Sequence, residues 1–231
     1  MFASAVRAEE NKIEIRTIGI PPYGIENSSS QGGIYYDLAN LLAQKSGYSR
    51  NNYIYPYVRI INELKTGQTD MTIMFKYEEL NEHVEYIGSL PPLRTVVIGK
   101  KGTSFTSIDS LKGKFLAYLR GANFNEDIDN DPEIIKQVTD NFGQGVKMLI
   151  SGRVDGIIGP LDPILDAANT ISGDVIEFGK PLVVDERTPW VQVSKESAKR
   201  LSIEKLKSAF IEIQRQGNIA AIQKEYGIER D

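Results

Sequence analysis

The strongest constraint on what this chain can fold into is a repeated segment. Leu64-Lys65-Thr66-Gly67-Gln68-Thr69-Asp70-Met71-Thr72-Ile73 and Leu149-Ile150-Ser151-Gly152-Arg153-Val154-Asp155-Gly156-Ile157-Ile158 both read L-x-x-G-x-x-D-x-x-I. In each copy, glycine lets the chain leave a helix with positive φ, and aspartate opens an apolar run of strand character. One helix–glycine–strand junction is common. Two copies, at matching places in two strand–helix series, predict two similar α/β lobes.

The flanking pattern supplies those series. Ile13, Ile15, Ile18 and Ile20 form a β-branched run that stops at Pro21-Pro22-Tyr23-Gly24. Ile34, Leu38, Leu41 and Leu42 recur at helical spacing, with Gly47 past the end. Tyr53 to Tyr57 is extended, Ile60, Ile61 and Leu64 mark a helix closed by Gly67, and Met71 to Phe75 is strand-like. Strand, helix, strand, helix, strand is the rhythm of a parallel sheet. It restarts at Phe115 to Leu119, continues through a helix at Val146, Leu149 and Ile150, and reaches the strand Val154 to Ile158. Asp131-Pro132-Glu133 carries N-cap, first-position and first-turn signals and predicts a helix start.

Thr95 to Ile98, and Pro181 to Val184 leading into Trp190-Val191-Gln192-Val193, read as two extended crossovers. Leu201, Leu206, Phe210 and Ile213, then Ile219, Ile222 and Tyr226, give two amphipathic helices separated by Gly217. The expected division is a discontinuous lobe 1 of residues 9–97 and 190–231, with lobe 2 at residues 98–189 between its parts. Residues 1–8 are expected to be a signal-peptide remnant, with a plain tail as the alternative; their F-A-S-A-V-R-A stretch resembles the cleavage end of a secretory signal.

Composition narrows the chemistry. The chain has no cysteine, which excludes disulfides, thiolate zinc sites and a cysteine nucleophile. Net charge is −4 with no Lys/Arg-rich block, so nucleic acid is not an expected partner. No apolar run approaches the roughly 18–20 residues of a membrane span. The one histidine, His83, sits in a charged stretch, and neither G-x-S-x-G, G-x-x-x-x-G-K nor G-x-G-x-x-G occurs. Asp127 to Asp131 has Pro132 where a calcium loop needs glycine, and reads as a helix-capping loop. The expectation is a protein that is not an enzyme and carries no cofactor and no metal.

Several segments, taken in order, resemble the extracellular solute-binding protein family 3, a family of type II periplasmic binding proteins. They are Pro21-Pro22-Tyr23, Gly33 to Ala39, Tyr55 to Arg59 followed by Leu64-x-x-Gly67-x-x-Asp70, Val84 to Gly88, Ser110 to Lys114, Arg120-Gly121 and Tyr226-Gly227. The resemblance runs from Ile13 to Gly227. It implies two α/β lobes joined by two crossover hinge strands, with a small polar organic solute, an amino acid or related organic ion, captured in the cleft between them. It also implies a periplasmic monomer that delivers the solute to the membrane permease of an ABC importer. The same scaffold serves dehydratase-like periplasmic enzymes and ligand-sensing modules of membrane receptors. Amino-acid binders of the family carry an arginine six residues before the aromatic of the Val84–Gly88 segment. Here that position is Leu80, no arginine lies between Arg59 and Arg94, and Lys76 is the nearby cation.

Ligands of such sheets sit outside the carboxyl ends of the strands. That rule nominates Tyr23, whose ring either stacks on a ligand or packs on the two prolines. It nominates Phe75, Lys76 and Tyr77, as pocket walls flanking an anion partner or as a strand end with a solvated lysine. Arg120, Gly121, Asn123 and Phe124 follow the first strand of lobe 2, where a glycine turn and a guanidinium suit a carboxylate. Asp162 either accepts from a ligand amine or starts a helix. Arg59 is directed to the cleft by the resemblance, and to a surface salt bridge by its position at a helix. Trp190 is expected in the core, and Asp70 and Asp155 as structural residues.

Overall fold

A computed structural model describes residues 11–171 and 176–228. The signal-like residues 1–8 lie outside the described part. Packing divides the chain into two compact units, Met1–Pro91 with Thr188–Asp231, and Pro92–Arg187.

The first unit is built on a five-stranded sheet ordered β4-β1-β5-β12-β6. Its strands are β1 (Lys12–Ile18), β4 (Ser49–Tyr55), β5 (Met71–Phe75), β6 (Val84–Ser89) and β12 (Pro189–Ser194). β1 runs parallel to β4 and β5, while β12 is antiparallel to both β5 and β6. Alternation in β1 buries Ile13, Ile15 and Thr17 on one face. Helices α1 (Ile34–Lys45) and α6 (Ile203–Arg215) pack on the sheet and on each other, with α7 (Asn218–Glu225) beside them. Phe210 of α6 lies so close to β6 that a β-carbon at Gly88 would meet its ring at 2.2 Å, so glycine is what admits the helix there. Helix α2 (Tyr57–Thr66) inserts Ile60, Ile61 and Leu64 into a cluster with Met74, Leu80 and Val84. A short ribbon of β2 (Ile25–Glu26) and β3 (Gln31–Gly32) fills the loop before α1.

The second unit has its own five-stranded sheet, ordered β11-β7-β10-β8-β9. The strands are β7 (Leu93–Ile98), β8 (Phe115–Leu119), β9 (Ile135–Thr139), β10 (Gly156–Pro160) and β11 (Leu182–Arg187). β8 is parallel to β9 and β10, and β7 is antiparallel to β10 and β11. Helices α4 (Phe142–Ile150) and α5 (Leu161–Ile171) pack together against this sheet. Its core gathers Val97, Phe105, Leu111, Leu116, Tyr118, Ile128, Ile134 and Ile158. All of β7 pairs within this unit, which begins at Pro92, whereas the sequence pattern sets the lobe boundary after residue 97, inside the crossover Thr95–Ile98.

The repeated segment has one structural meaning in both units. Gly67 and Gly152 take left-handed φ values of 73° and 74° at the ends of α2 and α4. Asp70 N donates to Glu14 O at 2.8 Å, and Glu14 N donates back to Asp70 Oδ2 at 2.6 Å. Asp155 N donates to Phe115 O at 2.7 Å, and Phe115 N donates to Asp155 Oδ2 at 2.8 Å. Each aspartate thus clamps the first parallel strand of its unit with main chain and side chain together.

One expected helix is absent. Asp131-Pro132-Glu133 starts no helix: Asp131 Oδ1 accepts from Glu133 N at 2.8 Å, and the turn feeds β9. The short helix α3 (Glu126–Asp129) comes before it, capped by Asn125 accepting from Ile128 N at 3.2 Å. An aspartate beside proline serves a turn as well as an N-cap, and pairing of Ile135–Thr139 with β8 decides between them.

Candidate functional site

Because β1, β4 and β5 are parallel, their carboxyl ends, Ile18, Tyr55 and Phe75, share one side of the first sheet. The antiparallel β12 starts at that same end, with Pro189 opposite Phe75 and Trp190 opposite Met74. Lys76, the first residue beyond β5, is exposed. Its Nζ stands 3.9 Å from the Trp190 ring centroid and 4.2 Å from that of Tyr86. The two rings meet edge to face at 5.6 Å and 70°, so the ammonium occupies a corner made by two π faces. Among the described residues Lys76 makes no ion pair and no side-chain hydrogen bond.

The corner is braced from below. Gln192 is fully buried and its Nε2 donates to both Met74 O and Phe75 O at 3.0 Å, which fixes the direction in which the chain leaves β5. Tyr86 donates its hydroxyl to Asn81 Oδ1 at 2.7 Å, and burial pushes its phenol above the usual value. Phe75 is half-buried at the strand end, and Tyr77 stacks on Tyr57 with centroids 6.1 Å apart. Tyr23 is 4% exposed and stacks on Tyr35 at 4.5 Å, so its ring is part of the packing behind the first loop.

Arg59 lies in the first turn of α2. Its guanidinium covers the Tyr55 ring at 3.6 Å, and its Nε donates to Glu63 Oε1 at 2.7 Å. Glu63 also accepts from Thr69 Oγ1 at 2.8 Å and lies 3.4 Å from the buried Nε of Arg16. Burial pushes the Glu63 carboxyl up; the bonds from Arg59 and Thr69, with the charge of Arg16, outweigh it and hold the carboxyl below its ordinary value. A groove of about 670 Å³ runs over this part of α2, lined by Pro56, Val58, Arg59, Asn62, Glu63, Thr66 and Gln68.

In the second unit, Arg120, Gly121, Asn123 and Phe124 share one loop after β8. Gly121 takes φ 71°, and Arg120 donates through Nε to Asp140 Oδ1 at 2.9 Å, both side chains being exposed. The Asn123 carbonyl accepts from Arg187 at 3.4 Å. Phe124 packs on Tyr118 at 5.2 Å, and its N–H donates to Asp129 Oδ2 at 3.0 Å. Tyr118 donates its hydroxyl to the other oxygen of Asp129; burial first, then that bond, raise the phenol far above its usual range. Asp162 lies half-buried in the first turn of α5.

The structure therefore groups Phe75, Lys76 and Tyr77 at one strand end, Arg59 with its carboxylate one loop away, and Arg120 to Phe124 in the other unit. It adds Tyr86 and Trp190, which no spacing in the sequence connects to Lys76. Trp190, expected in the core, is half-buried. Among the described residues no group of His, Cys, Asp or Glu gathers as a metal site, and no helix is long and apolar enough to cross a membrane.

Two α/β units, each with a mixed sheet and with loops bearing aromatic and ionic groups beyond its parallel strands, define the type II periplasmic binding protein fold. The chain belongs to the bacterial extracellular solute-binding proteins, family 3, whose profile matches residues 15–229. A Bacillus subtilis (strain 168) protein described as "Probable amino-acid-binding protein YxeM" is 20% identical over 231 residues, covering 96% of this chain and 86% of that protein. The solved structure of an ancestral arginine-binding protein bound to arginine aligns with a TM-score of 0.75 at 23% identity, over 94% of this chain and 98% of that one. A substrate-binding protein of an ABC uptake transporter from Streptococcus pneumoniae, with bound histidine, aligns with a TM-score of 0.75 at 20% identity, over 96% and 95%. The protein is thus a solute-binding protein, and its family is extracellular.

Proposed function

We propose that the protein captures an amino acid or a related small organic ion in the periplasm and delivers it, as a monomer and without chemical change, to the permease of an ABC importer. The observation that carries it is Lys76: an exposed ammonium at the carboxyl end of β5, seated on two rings and without a carboxylate partner among the described residues. Leu80, at the position where the family's amino-acid binders carry arginine, is 0% exposed and part of the α2 core, so a ligand anion needs another cation. Phe75, Tyr77, Arg59 and Tyr23 of the first unit, and Arg120, Gly121, Asn123, Phe124 and Asp162 of the second, are the other proposed contacts.

The test is a thermal-shift screen of amino acids, organic acids, polyamines and sugars, followed by calorimetry. A true ligand at a hundredfold excess over its Kd stabilises the fold by about 2.7 kcal/mol. Recovery of the bound solute unchanged supports transport, and release of a product counts against it. A screen in which nothing raises Tm rejects the reading.

A further inference from the structure

We propose that Lys76, seated between Trp190 and Tyr86, sets the charge class of the solute: an organic acid or an acidic or neutral amino acid whose anionic group meets Lys76, and not a solute with a basic side chain. This rests on the solute-capture reading above and specifies its ligand.

Three cations stand beyond strand ends where the sequence nominated ligand contacts. Two are already engaged with carboxylates, Arg59 with Glu63 at 2.7 Å and Arg120 with Asp140 at 2.9 Å. Among the described residues Lys76 has only ring faces for partners. A π face attracts the charge of an ammonium but leaves its three N–H donors free to bond an anion. The rings also restrain a four-carbon stem that is otherwise highly mobile, so part of the ordering cost of gripping an anion is met before the ligand arrives. Gln192 holds Met74 O and Phe75 O and so fixes the strand end from which Lys76 departs.

The same geometry argues against a cationic solute. An edge-to-face pair of Trp190 and Tyr86 suits a guanidinium or ammonium. The protein fills that corner with its own ammonium, so a second cation meets like charge within a few ångströms instead of an open π face.

Calorimetry with L-glutamate, L-glutamine, succinate, L-arginine and L-lysine, on wild type, Lys76→Met and Lys76→Arg, tests the assignment. The wild type is expected to bind at least one of the first three probes and to bind L-arginine and L-lysine at least tenfold more weakly. Lys76→Met, which keeps the length of the stem and removes the charge, is expected to lose at least tenfold for the anionic group and to gain affinity for L-arginine or L-lysine. Lys76→Arg is expected to retain the preference, and circular dichroism melts confirm that both variants fold. A wild type that prefers L-arginine or L-lysine, or a Lys76→Met variant with unchanged affinity for its acidic or neutral ligand, overturns the inference and leaves solute capture standing. A wild type that binds none of the five probes overturns it too; if the wider screen is also blank, solute capture falls with it.

Discussion

Glu63 is the carboxylate on which two arginines of the first unit depend. It is 9% exposed, takes the Nε–H of Arg59 and the hydroxyl of Thr69, and faces Arg16, whose buried Nε has no hydrogen bond of its own. Glu63→Gln keeps the shape but removes the charge facing the buried Nε of Arg16, whose Nη1 keeps its bond to Glu14 at 3.1 Å. The expected cost is about 2 kcal/mol at pH 7, measured by urea unfolding. The carboxyl is held below its ordinary value in the folded state, so its stabilisation is complete above the unfolded carboxyl pKa of about 4.3 and is lost as pH falls through the lower folded value. The gap between wild type and variant should therefore narrow progressively as pH falls below the unfolded value; a gap that does not narrow on acidification would assign the effect to packing. At this scale the sequence was partly legible. Lys76 follows from its place after an apolar strand, and the pairing of Arg59 at a helix start from its salt-bridge alternative. The ring partners Tyr86 and Trp190 were not, because they reach Lys76 through the antiparallel pairing of β12, which local periodicity does not encode.

The aspartate of the repeated segment makes the same clamp in both units but in unequal surroundings. Asp70 is buried and also accepts from Ser197 Oγ at 2.5 Å and from Arg200, while Asp155 takes the one strand amide of Phe115. Asp70→Asn places an amide among three donors and strands the Arg200 contact, with an expected cost of about 3 kcal/mol. Asp155→Asn is expected to cost about 1 kcal/mol. Equal costs in denaturant melts would mean that the strand clamp, rather than the ion pair, dominates both sites. Elements with both a hydrophobic period and a terminating glycine, α1, α2 and α4, were readable for the reason the repeat was: capping and burial agree there. At Asp131 they disagree. Its cap signals favour a helix, its downstream Ile135 and Val138 favour a strand, and the partner β8 is what settles the outcome.

Chain connectivity makes the two units unequal in independence. Everything the second unit needs lies between Pro92 and Arg187, because both crossovers contribute strands to its sheet, β7 and β11, and its cluster from Val97 to Ile158 is contained there. The first unit is completed by the end of the chain. β12 sits between β5 and β6, and Leu206, Phe210 and Ile213 of α6 are buried in its core. Residues 92–187 expressed alone should therefore melt cooperatively, with an enthalpy of about 65 kcal/mol for a fragment of this size. A chain ending at residue 187 should show the same transition and no other, since removing β12 leaves the backbone groups of Met71–Phe75 and Val84–Ser89 without the strand between them. Calorimetry and amide NMR spectra of the two fragments decide it. If residues 92–187 give collapsed, non-cooperative spectra while the longer fragment folds, the second unit draws its stability from the first, and the self-contained sheet is not a folding unit.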